Sequence, residues 1–504
     1  MVDYSRTEEA LQYSIDCRVP VAEFVALRAG GPASDDALRG VEEVILDRNK
    51  LAEGKKFCKA LGTTISLNGK VMAYRVDMQG DENYCLTLVS LETGEHLPDK
   101  LWNVASYCFH QPADADKTGA APLGLFYSLR NKNLRSTKVF YHRLGDTCEG
   151  SEDFAPNDHL LLESKNEMFS VSVGTTADKE CVTVRHASKT ENEVYSIDVN
   201  DDEMRLVNLL PMVDDVEYGV AKSGPHWFMR TKAGCAKDHF RLERGEWTDA
   251  SKRQVRWEPY IVEKCTYAFE GMGVTKDLLL LSYLDVATGV PLLVVRRVDH
   301  AAADLDTEAL HPPGPHCKLV AFPGIADPEA LSHTASFSGA TDYATNSIVV
   351  VLDTPAQPTT WYDWDWESSG EGLLPVRKQK EVPNYNPDEY HTERFYARYT
   401  EDKGAALHET LHSDPKYADS AVSVPVTVLY KKSLFRKDGS MPLLLEGYGS
   451  YGISEEPVWR NTHTLYADLG FVVATAHIRG GGDLGESIPS HPIPSHPIPS
   501  HPIP

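Results

Sequence analysis

Three short stretches of this chain carry residue types whose spacing could do chemistry. His408-Glu409-Thr410-Leu411-His412 fits H-E-x-x-H, in which two histidines one helical turn apart hold zinc and the glutamate activates water. That chemistry needs a sustained helix, and Asp414-Pro415 stops the helix-compatible run directly after the motif. Pro415 and Ala418 also fill the glycine and third-histidine positions of the longer zinc pattern, so zinc stands only as an alternative to a polar loop. Gly480 to Gly485, "GGGDLG", fits G-x-G-x-x-G after an apolar strand, but Ile488-Pro489 follows where a phosphate-facing helix should run. No metal and no cofactor is therefore assigned. The third stretch is Gly447-Tyr448-Gly449-Ser450-Tyr451-Gly452. A serine nucleophile on an α/β sheet is exposed at a G-x-S-x-G elbow, and Tyr448 occupies the first glycine position ahead of Ser450. No other serine of the 504 residues meets the pattern.

The elements that must position these residues fall into two regions. Up to about residue 380 the chain reads as short strands, among them 70–76, 84–91, 123–129, 138–144, 169–173, 181–187, 193–199, 278–284, 291–298 and 347–352. Asn68-Gly69 sits between two of them as a type I′ hairpin turn would, and Thr93-Gly94 and Thr288-Gly289 mark further reversals. The strands recur in seven groups, opening near residues 1, 61, 104, 166, 211, 263 and 316, as propeller blades do. A large β-sandwich is the competing arrangement. "WYDWDWESSGEG" (361–372) mixes tryptophans with acids and reads either as a strand and rim loop or as a receiver of cations.

From 381 the strands 424–430, 442–446 and 471–478 are apolar with few alternating polar positions, fitting a sheet buried on both faces, and a short helix ending at Gly470 fits between the last two. Residues 488–504 repeat "IPSHP", a proline-rich extended tail with His491, His496 and His501 at every fifth position. The expected fold is mostly β: a seven-bladed β-propeller over 1–380, then the first, truncated part of an α/β-hydrolase domain over 381–487.

Composition excludes several classes. A net charge of −24 disfavours nucleic acid and anionic membrane and favours basic peptides as partners. No apolar run approaches the roughly 18 residues of a membrane span, and the N-terminus lacks a signal-peptide pattern. Nine cysteines, none in a C-x-x-C pair, read as reduced thiols, which suggests a cytoplasmic protein.

"MPLLLEGYGSYGIS" and "LGFVVATAHIRGGGDLGE", with upstream stretches such as "EEVILDRNKLAEG" and "KQKEVPNYNPDEYHTERFYA", resemble the prolyl oligopeptidase family, and its oligopeptidase B branch in particular. The resemblance implies a propeller over an α/β-hydrolase domain and a serine-type endopeptidase that cleaves short peptides after Arg or Lys. It also implies that the Tyr448 hydroxyl donates to the tetrahedral oxyanion. Glu446 departs from the pattern, standing where the family usually carries a second aromatic, and brings charge to that turn. The family's Ser, Asp and His follow the R-G-G-G turn, so the 504-residue chain is expected to be catalytically silent by itself. A non-catalytic propeller that binds a partner is the competing function.

Overall fold

The computed structural model describes residues 1–27, 35–146, 157–234, 240–261, 267–285, 289–298, 316–323, 325, 332–339, 342–368, 374–398, 423–450 and 453–478. Among these, strands of three to nine residues dominate and helices are few and short. Seven sheets follow one another along the chain, each with its strands hydrogen-bonded in chain order. The first has three strands, Val2–Arg6, Ile15–Val19 and Glu43–Asp47. Six four-stranded sheets follow at 59–101, 104–163, 170–210, 218–261, 267–319 and 334–379. An eighth, mixed sheet closes the described chain.

The central strands of the second and third sheets, such as Cys85–Ser90 and Gly124–Arg130, are near-continuously buried because both of their faces are covered. In the second sheet Met72, Tyr74 and Val76 pack with Leu46 of the first sheet, while the intervening Ala73 joins Leu125 and Tyr127 of the third. In the third sheet Phe126 points the other way, into Val171, Val182 and Ile197 of the fourth. The period of two sends successive side chains to opposite neighbours, so apolar residues are needed at every position rather than every second one. Each large side chain fully removed from water, such as Tyr74, Tyr127 or Trp227, contributes about 1.5–3 kcal/mol.

The described chain divides into two compact units. One, residues 1–233, 242–260 and 274–277, carries the first five sheets. The other, residues 234–241, 261–273 and 278–504, carries the sheets of 267–319 and 334–379 with the mixed sheet. Within this second unit Leu278, Leu280, Leu293 and Val295 meet Ile348, Val350, Tyr362 and Trp364 face to face.

Two local expectations are corrected. The hairpin at Asn68-Gly69 is not type I′, since only Gly69, at φ 73°, enters the left-handed region. Asn68 instead keeps negative φ because its side-chain oxygen accepts from Lys70 N at 3.1 Å and from Ser66 Oγ at 2.7 Å, a local turn that competes with the two-residue loop. Cys317–Leu319 closes the sixth sheet by pairing with Val294–Arg296, so the seventh opens at Thr334 rather than near 316.

Candidate active site

The mixed sheet places the Gly-Tyr-Gly turn. Its order is Tyr390–Arg398, Ser423–Lys431, Val472–Ala476, Leu443–Glu446, with the first two antiparallel and the last two parallel. The parallel pair is joined by a crossover containing the helix Asn461–Asp468. The helix ends where expected: Gly470 takes φ 85°, a conformation that needs no Cβ, and its N–H caps Ala467 O at 3.0 Å.

Register decides which side chains share the helix face. Leu444 lies beside Val473 and Glu446 beside Thr475, which in turn sits opposite Thr427 of the neighbouring strand. Leu444, Val473, Leu429 and Tyr390 pack with Ala467 of the helix, so that face is its core. On the other face Val426, Val428 and Ala474 are buried, whereas Leu443 and Leu445 of the edge strand are 59% and 62% exposed. The expectation of strands covered on both faces therefore holds for the two central strands and not for the edge one.

The helix is anchored at its C-terminal end by Asp468, which accepts from Tyr390 Oη at 2.7 Å and Lys431 Nζ at 2.9 Å. Burial alone would raise the Asp468 carboxyl, but these two donors outweigh it and hold it below the usual value. At the other end the Trp459 N–H donates to Asp353 Oδ1 at 2.7 Å, tying the crossover to the seventh sheet of the same unit. Asp353 also accepts from Thr359 Oγ1 at 2.6 Å, yet burial dominates and its carboxyl is pushed up.

A polar row runs along the helix face toward the C-terminal ends of the parallel strands. His463, buried on the helix, has Nε2 2.8 Å from Glu446 Oε2, and Arg460 lies 3.8 Å from the same oxygen while bonding Glu455 at 3.0 Å. Thr427 Oγ1 bridges His477 Nε2 at 2.8 Å and Ser332 Oγ at 2.7 Å, all three residues being buried. The charge that Glu446 brings to the turn is thus matched by partners on the crossover.

Immediately after Glu446 the chain turns sharply. A Cβ on Gly447 would lie 3.1 Å from Ala476 O, so the turn rests backbone against backbone on the adjacent strand. Tyr448 follows at 40% exposure, and its hydroxyl has no hydrogen-bond partner among the described residues. Tyr448 thus stands just past the C-terminal end of one strand of a parallel pair, beside the crossover that joins them. Ser450 stands two residues beyond it, with none of the described histidines hydrogen-bonded to it.

The remaining sequence motifs resolve as follows. His408–His412, Gly480–Gly485 and the 488–504 tail lie outside the described residues. Among the described residues no group of three or more His, Cys, Asp or Glu is placed to hold a metal. In "WYDWDW" the tryptophans are structural: Trp364 and Trp366 are buried, and the chain's own Arg297 and Lys318 both sit 4.9 Å from the centre of the Trp366 ring. Six described cysteines are buried thiols, and among the described residues no helix is long and apolar enough to cross a membrane. Glu446's pairing was not expected from sequence, because His463 is 17 residues away and reaches it only through the crossover.

Comparison with known proteins agrees with this arrangement. Residues 1–377 match the family model described as prolyl oligopeptidase, N-terminal beta-propeller domain. The chain is 27% identical over 488 residues to a dipeptidyl aminopeptidase BI from Pseudoxanthomonas mexicana, covering 96% of this chain and 58% of that protein. It is 23% identical over 486 residues to a protease 2 from Moraxella lacunata, covering 96% of this chain and 59% of that protein. Among solved structures, oligopeptidase B from Leishmania major superposes with a TM-score of 0.76 at 23% identity, over 96% of this chain and 59% of that one. The chain thus spans a little under three fifths of the two sequence relatives' length.

Proposed function

The chain belongs to the prolyl oligopeptidase family, and from that premise we propose that it serves a serine-type oligopeptidase that hydrolyses short peptides after Arg or Lys. Residues 1–380 form the seven-bladed propeller that restricts access in this reading, and residues 381–487 begin the α/β-hydrolase domain. The observation that carries the proposal is Tyr448, which follows the edge strand Leu443–Glu446 at 40% exposure and whose hydroxyl has no partner among the described residues. A preorganised phenol there stabilises charge that develops only in the transition state, a contribution on the order of 3 kcal/mol when such a donor is removed.

Preference for basic peptides is supported by the resemblance to oligopeptidase B and by the net charge of −24, which concentrates cationic substrates near the protein. The six buried free thiols fit a reducing, cytoplasmic setting. Residues 1–504 hold the donor turn but no serine in G-x-S-x-G, so the 504-residue polypeptide by itself forms no acyl-enzyme. An arginyl phosphonate, which bonds to an activated serine, tests this: the 504-residue polypeptide takes no adduct, and a stoichiometric adduct on any of its serines would overturn the reading.

A further inference from the structure

Tyr448 is aimed entirely through its backbone, because nothing among the described residues holds its hydroxyl. What holds that backbone is limited. The edge strand is four residues long, pairs on one side only, and its last rung is Glu446 opposite Thr475. Beyond it lie the Gly447 contact on Ala476 and one side-chain anchor, the Glu446 carboxylate on His463. The anchor point is itself fixed: His463 is buried, and its helix is held at one end by Asp468 with Tyr390 and Lys431 and at the other by Trp459 on Asp353.

We propose that Glu446 and His463 are positioning residues for Tyr448, the carboxylate–imidazole bond setting the direction in which the strand end delivers the tyrosine. The proposal rests on the reading of Tyr448 as the oxyanion donor, but it concerns geometry that exists without substrate. The groups around the pair are Arg460, 3.8 Å from the Glu446 carboxylate, and Glu455, which occupies Arg460 at 3.0 Å. His477, directly after the strand Val472–Ala476, is engaged with Thr427.

Fluorine NMR of the 504-residue chain carrying 3-fluorotyrosine at position 448, recorded at one fixed pH near ~6, where the phenol does not titrate, tests this through the position of the resonance. The expected result is a single resonance in the wild-type chain. Glu446→Leu, which removes the carboxylate, moves it, and adding His463→Gln changes nothing more. Circular dichroism establishes that each variant is folded, and Glu446→Leu alone decides the matter if the histidine variant is not. A resonance in the same place in Glu446→Leu and wild type overturns the proposal, as do independent, additive effects of the two substitutions. Failure of the oxyanion reading is seen separately, in the phosphonate experiment, which does not depend on this pair.

Discussion

Replacing His142 with leucine should destabilise the first compact unit by about 3–5 kcal/mol at neutral pH. The ring lies between two carboxylates, with Nδ1 2.7 Å from Asp158 Oδ1 and Nε2 3.1 Å from Asp99 Oδ1. The three side chains are 0%, 1% and 2% exposed for His142, Asp158 and Asp99. Ionised carboxylates only accept, so both ring nitrogens must donate and the ring is an imidazolium. Tyr127 Oη donates to Asp158 and Gly145 N to Asp99, each at 2.7 Å, but neither supplies charge. Leucine fills the volume and leaves two buried carboxylates without a cation, the case in which breaking a buried pair is most costly. Burial would raise Asp99, yet the His142 bond and the Gly145 N–H outweigh it and hold its carboxyl below 3.8. The sign follows: a depressed carboxyl contributes stability present above its unfolded value and lost as pH falls through the folded one. Urea unfolding at pH 7 measures the loss, which corresponds to roughly 10 °C in Tm for a unit of this size. The penalty should shrink in acid, where Asp99 loses its charge, and Asp158→Asn should cost less in the leucine variant than in wild type. A loss below about 1 kcal/mol, or strict additivity of the two substitutions, would refute the reasoning.

Two further outcomes follow from the same packing. Burial pushes the Cys108 thiol up to about 12 and those of Cys17 and Cys181 up to about 11, so a disulfide reagent at pH 8 should leave all three unmodified in the native protein and modify them on unfolding, read peptide by peptide by mass spectrometry. Gly124→Ala should destabilise more than Gly245→Ala: the new methyl would lie 2.3 Å from the backbone oxygen of His142 in the first case and 2.5 Å from a Val255 side-chain methyl in the second. Both costs fall at or above the ~1–3 kcal/mol of overpacking, and equal unfolding midpoints for the two variants would contradict the ranking.

Much of the architecture was legible because burial on both faces writes itself into the strands. The run 181–187 was read to the residue, and the others to within a few residues, from alternation combined with β-branched and aromatic residues. The crossover helix was legible from Gly470, where a left-handed residue ends it. What escaped depended on partners far along the chain. Asn68-Gly69 carries the strongest dipeptide signal for a two-residue hairpin, yet the Asn68 side chain's own hydrogen bonds select a wider loop. The cations over Trp366 come from Arg297 and Lys318, two strands of the preceding sheet and residues that no local pattern connects to it. Glu446 looked like an unbalanced charge at the turn because spacing alone cannot show that a crossover returns His463 and Arg460 to it. Tyr448 itself was marked only by family resemblance, since a phenol at a strand end has no spacing signature of its own.

The central claim is that residues 1–504 supply the donor turn of a serine oligopeptidase and not its nucleophile. Intact-mass and peptide-level analysis of the 504-residue polypeptide after arginyl phosphonate treatment tests it most directly. The account predicts an unmodified mass. A stoichiometric adduct on Ser450 or any other serine of residues 1–504 would contradict it.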